Sequence, residues 1–205
     1  MQVLTTTKND AVARLLRRRK RWGADHHDEV WNEVYLMSPD PNDEHQRIVT
    51  DFSYILKCVL TPDGNADVRS GANVTDRETD WRKNYRVPDV LVRFHDGLSQ
   101  IRDTHWFGGP DFLIEVVSRG DRSRKKLEFY AGISVREMMV IDRYPWAVEL
   151  YRLDDGELKS VGRSTLADPS MIVSEVVPLS FRLIEVEGKP RIEVVHRDGM
   201  PRWVV

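Results

Sequence analysis

Apolar residues at Ile48, Phe52, Ile55, Leu56 and Val59 recur at helical spacing and predict a helix from about Glu44 to Leu60, stopped by Pro62-Asp63-Gly64. Ahead of it, residues 8–21 read as a first, basic helix. Glu29–Met37 reads as a strand running into the turn Ser38-Pro39-Asp40-Pro41-Asn42. Residues 64–84 are polar, with a strand signal around Val68. Two apolar runs, Tyr85–Val92 and Pro110–Ser118, predict strands separated by a loop from about His95 to Pro110. In that loop Trp106 has two roles open to it, stacking on a base or covering the core. The segment Asp121–Ala131 places Leu127, Tyr130 and Ala131 at i, i+3 and i+4, a helix for which Asp121 or Ser123 is the N-cap. Glu137–Asp142 and Trp146–Leu153 follow as strands. Asp154-Asp155-Gly156 is a hairpin turn before Leu158–Val161, and Met171–Val205 alternates like further strands. No linker, repeat or low-complexity tract divides these pieces. The expectation is a single α/β domain over residues 1–205, a mixed β-sheet with helices on its faces and a basic helix near its N-terminus.

Composition narrows the class more than it names a partner. The chain has 205 residues, enough for a substantial core, with 40% hydrophobic residues and a net charge of −2. A single cysteine, Cys58, excludes an internal disulfide and suits a reducing cytoplasm; its place in the apolar helix marks it as core. No run approaches the roughly 18 apolar residues that span a bilayer, and the polar N-terminus lacks a signal-peptide core. The near-neutral charge does not itself point to nucleic acid. The positive charge is concentrated, however, in Arg14–Trp22 and in Arg119–Lys126, and either cluster could meet phosphates or remain a solvated face.

Two acids stand out against this pattern. Asp89 in Tyr85-Arg86-Val87-Pro88-Asp89-Val90-Leu91-Val92 and Glu115 in Phe112-Leu113-Ile114-Glu115-Val116-Val117 lie among strand-forming hydrophobes. An ionised carboxylate there must be paired, hydrogen-bonded or bound to a metal. On neighbouring strands the two could share one hard cation, since magnesium is usually held by only one or two carboxylates, with water and phosphate completing its shell. Lys126 follows on the basic helix and could stabilise the same developing charge, with Lys125 as the adjacent alternative. Each residue alone has a plainer reading. Asp89 would be a turn residue after proline, Glu115 an ion-paired strand residue, and the lysines a solvated helix face.

Pro-Asp, then a strand bearing Glu, then Lys resembles the PD-(D/E)xK nuclease superfamily. The stretches Asp28–His45, Asn84–Val92, Asp111–Ser118 and Asp121–Leu153 resemble its Uma-two family of restriction-endonuclease-fold proteins. The resemblance implies a restriction-endonuclease-like core in which Asp89 and Glu115 hold one or two Mg2+ ions, Mn2+ being a substitute, and Lys126 is the catalytic lysine. The substrate it implies is nucleic acid, DNA above all. Lysine normally stands two residues after the acid, where this chain has Val117; here it has moved to the helix, with Lys126 and Tyr130 in the family's K-x-x-x-Y spacing. Glu33 also departs, standing where relatives tend to have Gly after Trp31.

The resemblance adds three further residues. His45, at the start of the long helix, occupies a position where the family usually has His, to orient water, contact phosphate or cap the helix. Glu29 could supply another acid, in competition with Asp28, and Tyr130 could pack or hydrogen-bond beside the site. Glu137 reads as an ion-pair or sheet-edge group. A nuclease that cuts both strands would pair two sites in a homodimer, although no heptad or interface patch marks one. The rival to an enzyme is a non-cutting member of the fold that binds nucleic acid or a protein. An unrelated α/β domain with internally paired acids would instead show no stabilisation by divalent metal.

Overall fold

The computed structural model describes the backbone of residues 3–6 and all of residues 10–118 and 122–205. The first half runs β1 (Val3–Thr6), α1 (Asp10–Arg21), β2 (Glu29–Trp31), β3 (Val34–Met37), α2 (Asp43–Leu60), β4 (Ala66–Ser70), β5 (Val74–Thr75), β6 (Tyr85–Arg86), β7 (Val90–Phe94), β8 (Gln100–Ile101), β9 (Trp106–Phe107) and β10 (Phe112–Val116). The second half runs α3 (Leu127–Gly132), β11 (Glu137–Arg143), β12 (Trp146–Asp154), β13 (Glu157–Thr165), β14 (Ile172–Val173), β15 (Leu179–Val186), β16 (Lys189–His196) and β17 (Arg202–Val204). Short 3-10 turns occupy Trp81–Lys83 and Ser123–Lys126. None of the described helices is long and apolar enough to cross a membrane.

The central layer is a six-stranded mixed sheet in the order β13-β12-β11-β10-β7-β4. Its inner strand β10 pairs antiparallel with β7 and parallel with β11, and every residue of it is buried. Burial on both faces explains why β10 reads as a continuous apolar run and not as an alternation. Alternate residues then serve two cores. Val90, Val92, Ile114, Met139 and Ile141 face α2 and the β14-β15-β16-β17 sheet, whereas Leu91, Leu113, Met138 and Val140 face α3 and the strands around Val74 and Trp106.

α2 forms for local as well as tertiary reasons. The Asn42 side chain accepts the His45 N–H at 3.0 Å, and Asp43 and Glu44 favour the positive end of the helix. Its stripe of Ile48, Phe52, Ile55, Leu56 and Leu60 packs on the central sheet. Cys58 does not belong to that stripe and is exposed, a correction to the core reading. At about 100° per residue it lies well round the helix from Phe52 and Leu56, on the side that also exposes Tyr54.

Other expectations need revision. Glu29–Met37 is not one strand but the hairpin β2–β3, turned by Asn32 and Glu33 with φ of 47° and 69°. Glu33 thus occupies a left-handed position, the conformation that explains a preference for Gly there. The 95–110 loop contains the β8–β9 pair, too short to show periodicity, and Trp106 is core. One face of the central sheet is covered largely by a second sheet, β14–β17, because Phe181, Leu183, Ile192 and Val194 all turn inward. The Asp154-Asp155-Gly156 turn joins β12 to β13 as expected, with positive φ at Asp155 and Gly156. The proposed cap Asp121, together with Gly120 and Arg119, lies outside the described residues. Ser123 is not a cap, since the 3-10 turn begins after Arg122.

Candidate active site

Alternation along β10 directs Glu115 to the same face as Leu113, toward α3. There Lys126 Nζ lies 2.9 and 2.8 Å from the two Glu115 carboxylate oxygens, and the Tyr130 hydroxyl donates to Oε1 at 2.7 Å. Lys126 closes the 3-10 turn that leads into α3, and Tyr130 follows one turn later, so their four-residue spacing sets both side chains over the same acid. The lysine therefore reaches Glu115 although Val117 fills the customary position. Lys125 is exposed, so of the two candidates the fold brings in Lys126.

Glu29 arrives from β2 and contacts Lys126 Nζ through Oε1 at 2.8 Å. Its position is set by the Val87 N–H, which donates to Oε1 at 2.9 Å, and by the Trp31 indole N–H, which donates to Oε2 at 2.8 Å. Asp28 is committed elsewhere. It accepts two bonds from Arg19, one from the Tyr35 hydroxyl and one from the Ser38 N–H, tethering α1 to the hairpin. Glu29, Glu115, Lys126 and Tyr130 are 2%, 3%, 4% and 0% exposed, so the charges face one another with little water between them.

Two carboxylates around one ammonium would leave a buried negative charge, and Arg86 completes the balance. Its guanidinium carbon lies 4.4 Å from the Trp31 ring centroid and 4.1 Å from that of Phe129. Burial lowers its pKa, against the opposing pull of Glu29 and Glu115. Sequence reasoning passed over Arg86, although a cation in an apolar strand is the same kind of anomaly that singled out Glu115. Burial first, and then the charge of Glu115, push the Tyr130 phenol well above its ordinary pKa, so it remains a hydrogen-bond donor.

Asp89 forms a second, adjoining group. Its N–H donates to the Ile114 carbonyl at 3.1 Å and its Oδ2 accepts the Val116 N–H at 2.7 Å, so this one residue latches β10 on both sides of Glu115. Oδ1 faces His45 Nε2 at 3.2 Å. His45 and Asp89 line a cavity of about 220 Å³ that also touches His27, Gln46 and Ser70. The His45 Nδ1 is buried without a hydrogen-bond partner among the described residues. The fold thus joins Glu115 with Lys126, Tyr130 and Glu29, and Asp89 with His45, connecting the two groups through the backbone of Val116. Glu137 is separate. It is fully buried and pairs with Arg152 and Ser174, an ion-pair role. In the second basic cluster, Arg124 is held by Asp142 and Glu149.

The donor chemistry is that of a hard cation, on oxygens already engaged by Lys126 and Tyr130 at Glu115 and by His45 and the Val116 N–H at Asp89. Asp89 and Glu115 offer oxygen only, on strand ends fastened to each other. Among the described residues no three His, Cys, Asp or Glu side chains gather as ligands. Two carboxylates, with water and phosphate oxygens completing the shell, are the kind of ligand set that magnesium accepts.

Residues 15–187 match the family Uma2, described as Putative restriction endonuclease. Among solved structures, the chain is similar to a crystal structure described as a putative nuclease belonging to DUF820 from Anabaena variabilis. Identity is 18% and the TM-score 0.56, with 72% of this chain and 80% of that chain covered. At that identity the likeness is one of fold. None of the curated proteins matches the chain.

Proposed function

Because this chain belongs to the Uma2 family of restriction-endonuclease relatives, we propose that it is a nuclease that hydrolyses DNA phosphodiester bonds with the help of magnesium or manganese. The observation that carries this reading is the Lys126 ammonium, 2.8–2.9 Å from Glu115 in a buried cluster on the strand that Asp89 latches. A buried ion cluster is weak evidence for stability, because apolar residues of similar volume often serve as well. A cluster of this kind fits a reactive site better.

Asp89 and Glu115 would hold the metal, which when bound supplies an activated water and neutralises charge on the phosphate. Lys126 would donate to the oxygen on which negative charge grows, while Glu29 fixes the ammonium from its other side. Tyr130 holds the Glu115 carboxylate in place and His45 does the same for Asp89. The single-domain organisation and a cytoplasmic location inferred from the solitary Cys58 belong to the same proposal.

The test is cleavage of single-stranded, supercoiled and linear duplex DNA in magnesium, manganese or chelator. Glu115→Gln and Asp89→Asn are each expected to lower metal-dependent cutting at least about a hundredfold, the scale of losing one charge-stabilising group. Cutting at the wild-type rate by either variant would remove that residue from the site. A second reading, a non-cutting member of the fold that binds nucleic acid or a protein, is favoured by the engagement of both Glu115 oxygens with Lys126 and Tyr130. A magnesium-dependent rise in melting temperature that Glu115→Gln abolishes would favour the metal enzyme over it.

A further inference from the structure

We propose that the large groove between α1 and the β2–β3–β6 strands holds an unpaired stretch of nucleic-acid strand and leads it to the Asp89 cavity; this rests on the nuclease reading above and adds the substrate class to it. The groove encloses about 900 Å³ and is lined by cations from two elements, Arg17 and Lys20 of α1 and Arg82 and Lys83 of the 3-10 turn, against two carboxylates, Asp25 and Glu33. Lys83 is committed to Asp80 at 2.6 Å. Among the described residues Arg17, Lys20 and Arg82 have no ion pair, and all three are exposed. Arg82 lies over the Trp81 ring, 4.9 Å from its centroid, which leaves Arg17 and Lys20 as the uncommitted side chains for phosphates.

The walls between these cations are aromatic. Tyr35, Tyr85 and Trp81 line the same groove, and Trp81 is packed by His105 stacked at 4.7 Å, by the edge of Tyr85 at 5.3 Å and by the Arg82 guanidinium over its ring, so Trp81 and Arg82 act as one stacked unit. Burial raises the pKa of both tyrosines, so their phenols stay neutral and add no charge that would repel a strand. Backbone-tracking cations interleaved with aromatic faces are the pattern that receives single strands, because every base can stack.

The groove also adjoins the proposed chemistry. Gly71 borders both it and the Asp89 cavity and donates its N–H to the Asp89 carbonyl; His26 lines one and His27 the other. A strand bound in the groove would therefore present its next phosphate toward Asp89.

Fluorescence anisotropy with a labelled oligonucleotide, single-stranded and as a blunt duplex of the same sequence, tests this in chelator, where no cutting is required. The wild type is expected to bind the single strand at least tenfold more tightly. The double variant Arg17→Ala, Lys20→Ala should reduce the slope of log affinity against log salt by about 1.4, at about 0.7 per lost phosphate contact. Trp81→Ala should weaken single-strand binding about tenfold and leave that slope unchanged. A single-strand preference below tenfold, or an unaltered slope in the double variant, overturns the proposal. Metal-dependent cutting that survives such a result leaves the nuclease reading intact. The expected binding without any cutting sustains the groove and sinks the nuclease.

Discussion

Lys126→Met is expected to destabilise the protein by about 3–5 kcal/mol near neutral pH and to abolish cutting. Lys126 is held by Glu115 and Glu29 at 2.8–2.9 Å in a site almost without solvent. Removing one partner of such a cluster strands charge, which costs far more than the intact cluster contributes. The loss should depend on pH. With the ammonium gone, two carboxylates face each other and at least one has its folded-state pKa raised above the ordinary value of about 4.3. Such a group binds more protons folded than unfolded. The variant's stability relative to wild type is therefore best at or below that value and falls as pH rises through the raised pKa. Urea melts at pH 5 and pH 8 read this directly. A midpoint deficit equal at both pH values would mean that the two glutamates do not share the space the structure gives them.

Phe181→Ala should cost about 3–5 kcal/mol, the range for emptying a buried phenylalanine site. Its ring, on β15, lies 6.1 Å from Phe52 of α2 and 6.4 Å from Phe112 of β10. It is fully buried, so truncation opens a cavity where three layers meet. The residue touches none of the proposed site groups, so metal-dependent cutting by whatever fraction remains folded should stay close to wild type. A loss below about 1.5 kcal/mol in chemical denaturation, the scale of a tolerated core swap, would show that the four-stranded sheet contributes little to the core.

Much of this architecture was legible in the residues because burial writes itself into the sequence. β10 and β11 are continuous apolar runs, α2 carries its stripe at the right spacing, and Asp155-Gly156 carries the φ > 0 chemistry of a tight hairpin. The Glu115–Lys126–Tyr130 part of the site was legible for a related reason, being local: an acid in an apolar strand, then two residues one helical turn apart. What escaped depended on tertiary packing. The alternating strands after Met171 gave no indication that they would form a second layer instead of extending the first sheet. The hairpin at Asn32-Glu33 lacked the glycine that usually marks such a turn. Arg86 is explained by Trp31 and Phe129, rings from distant parts of the chain that sequence spacing could not bring to it.

The order of residues in the charged cluster also bears on how the chain folds. Glu115 and Lys126 are 11 residues apart, whereas Glu29 binds the Val87 N–H across 58. Short loops close first, because distant contacts bear their entropy before they gain any energy. The Glu115–Lys126 pair can therefore form early, within the β10–α3 unit. Glu29 and Arg86 come in together, since β2 and β6 meet at Val30 and Tyr85. Each half is thus neutral before the halves meet, and the nascent chain is spared the burial of a lone charge at either stage.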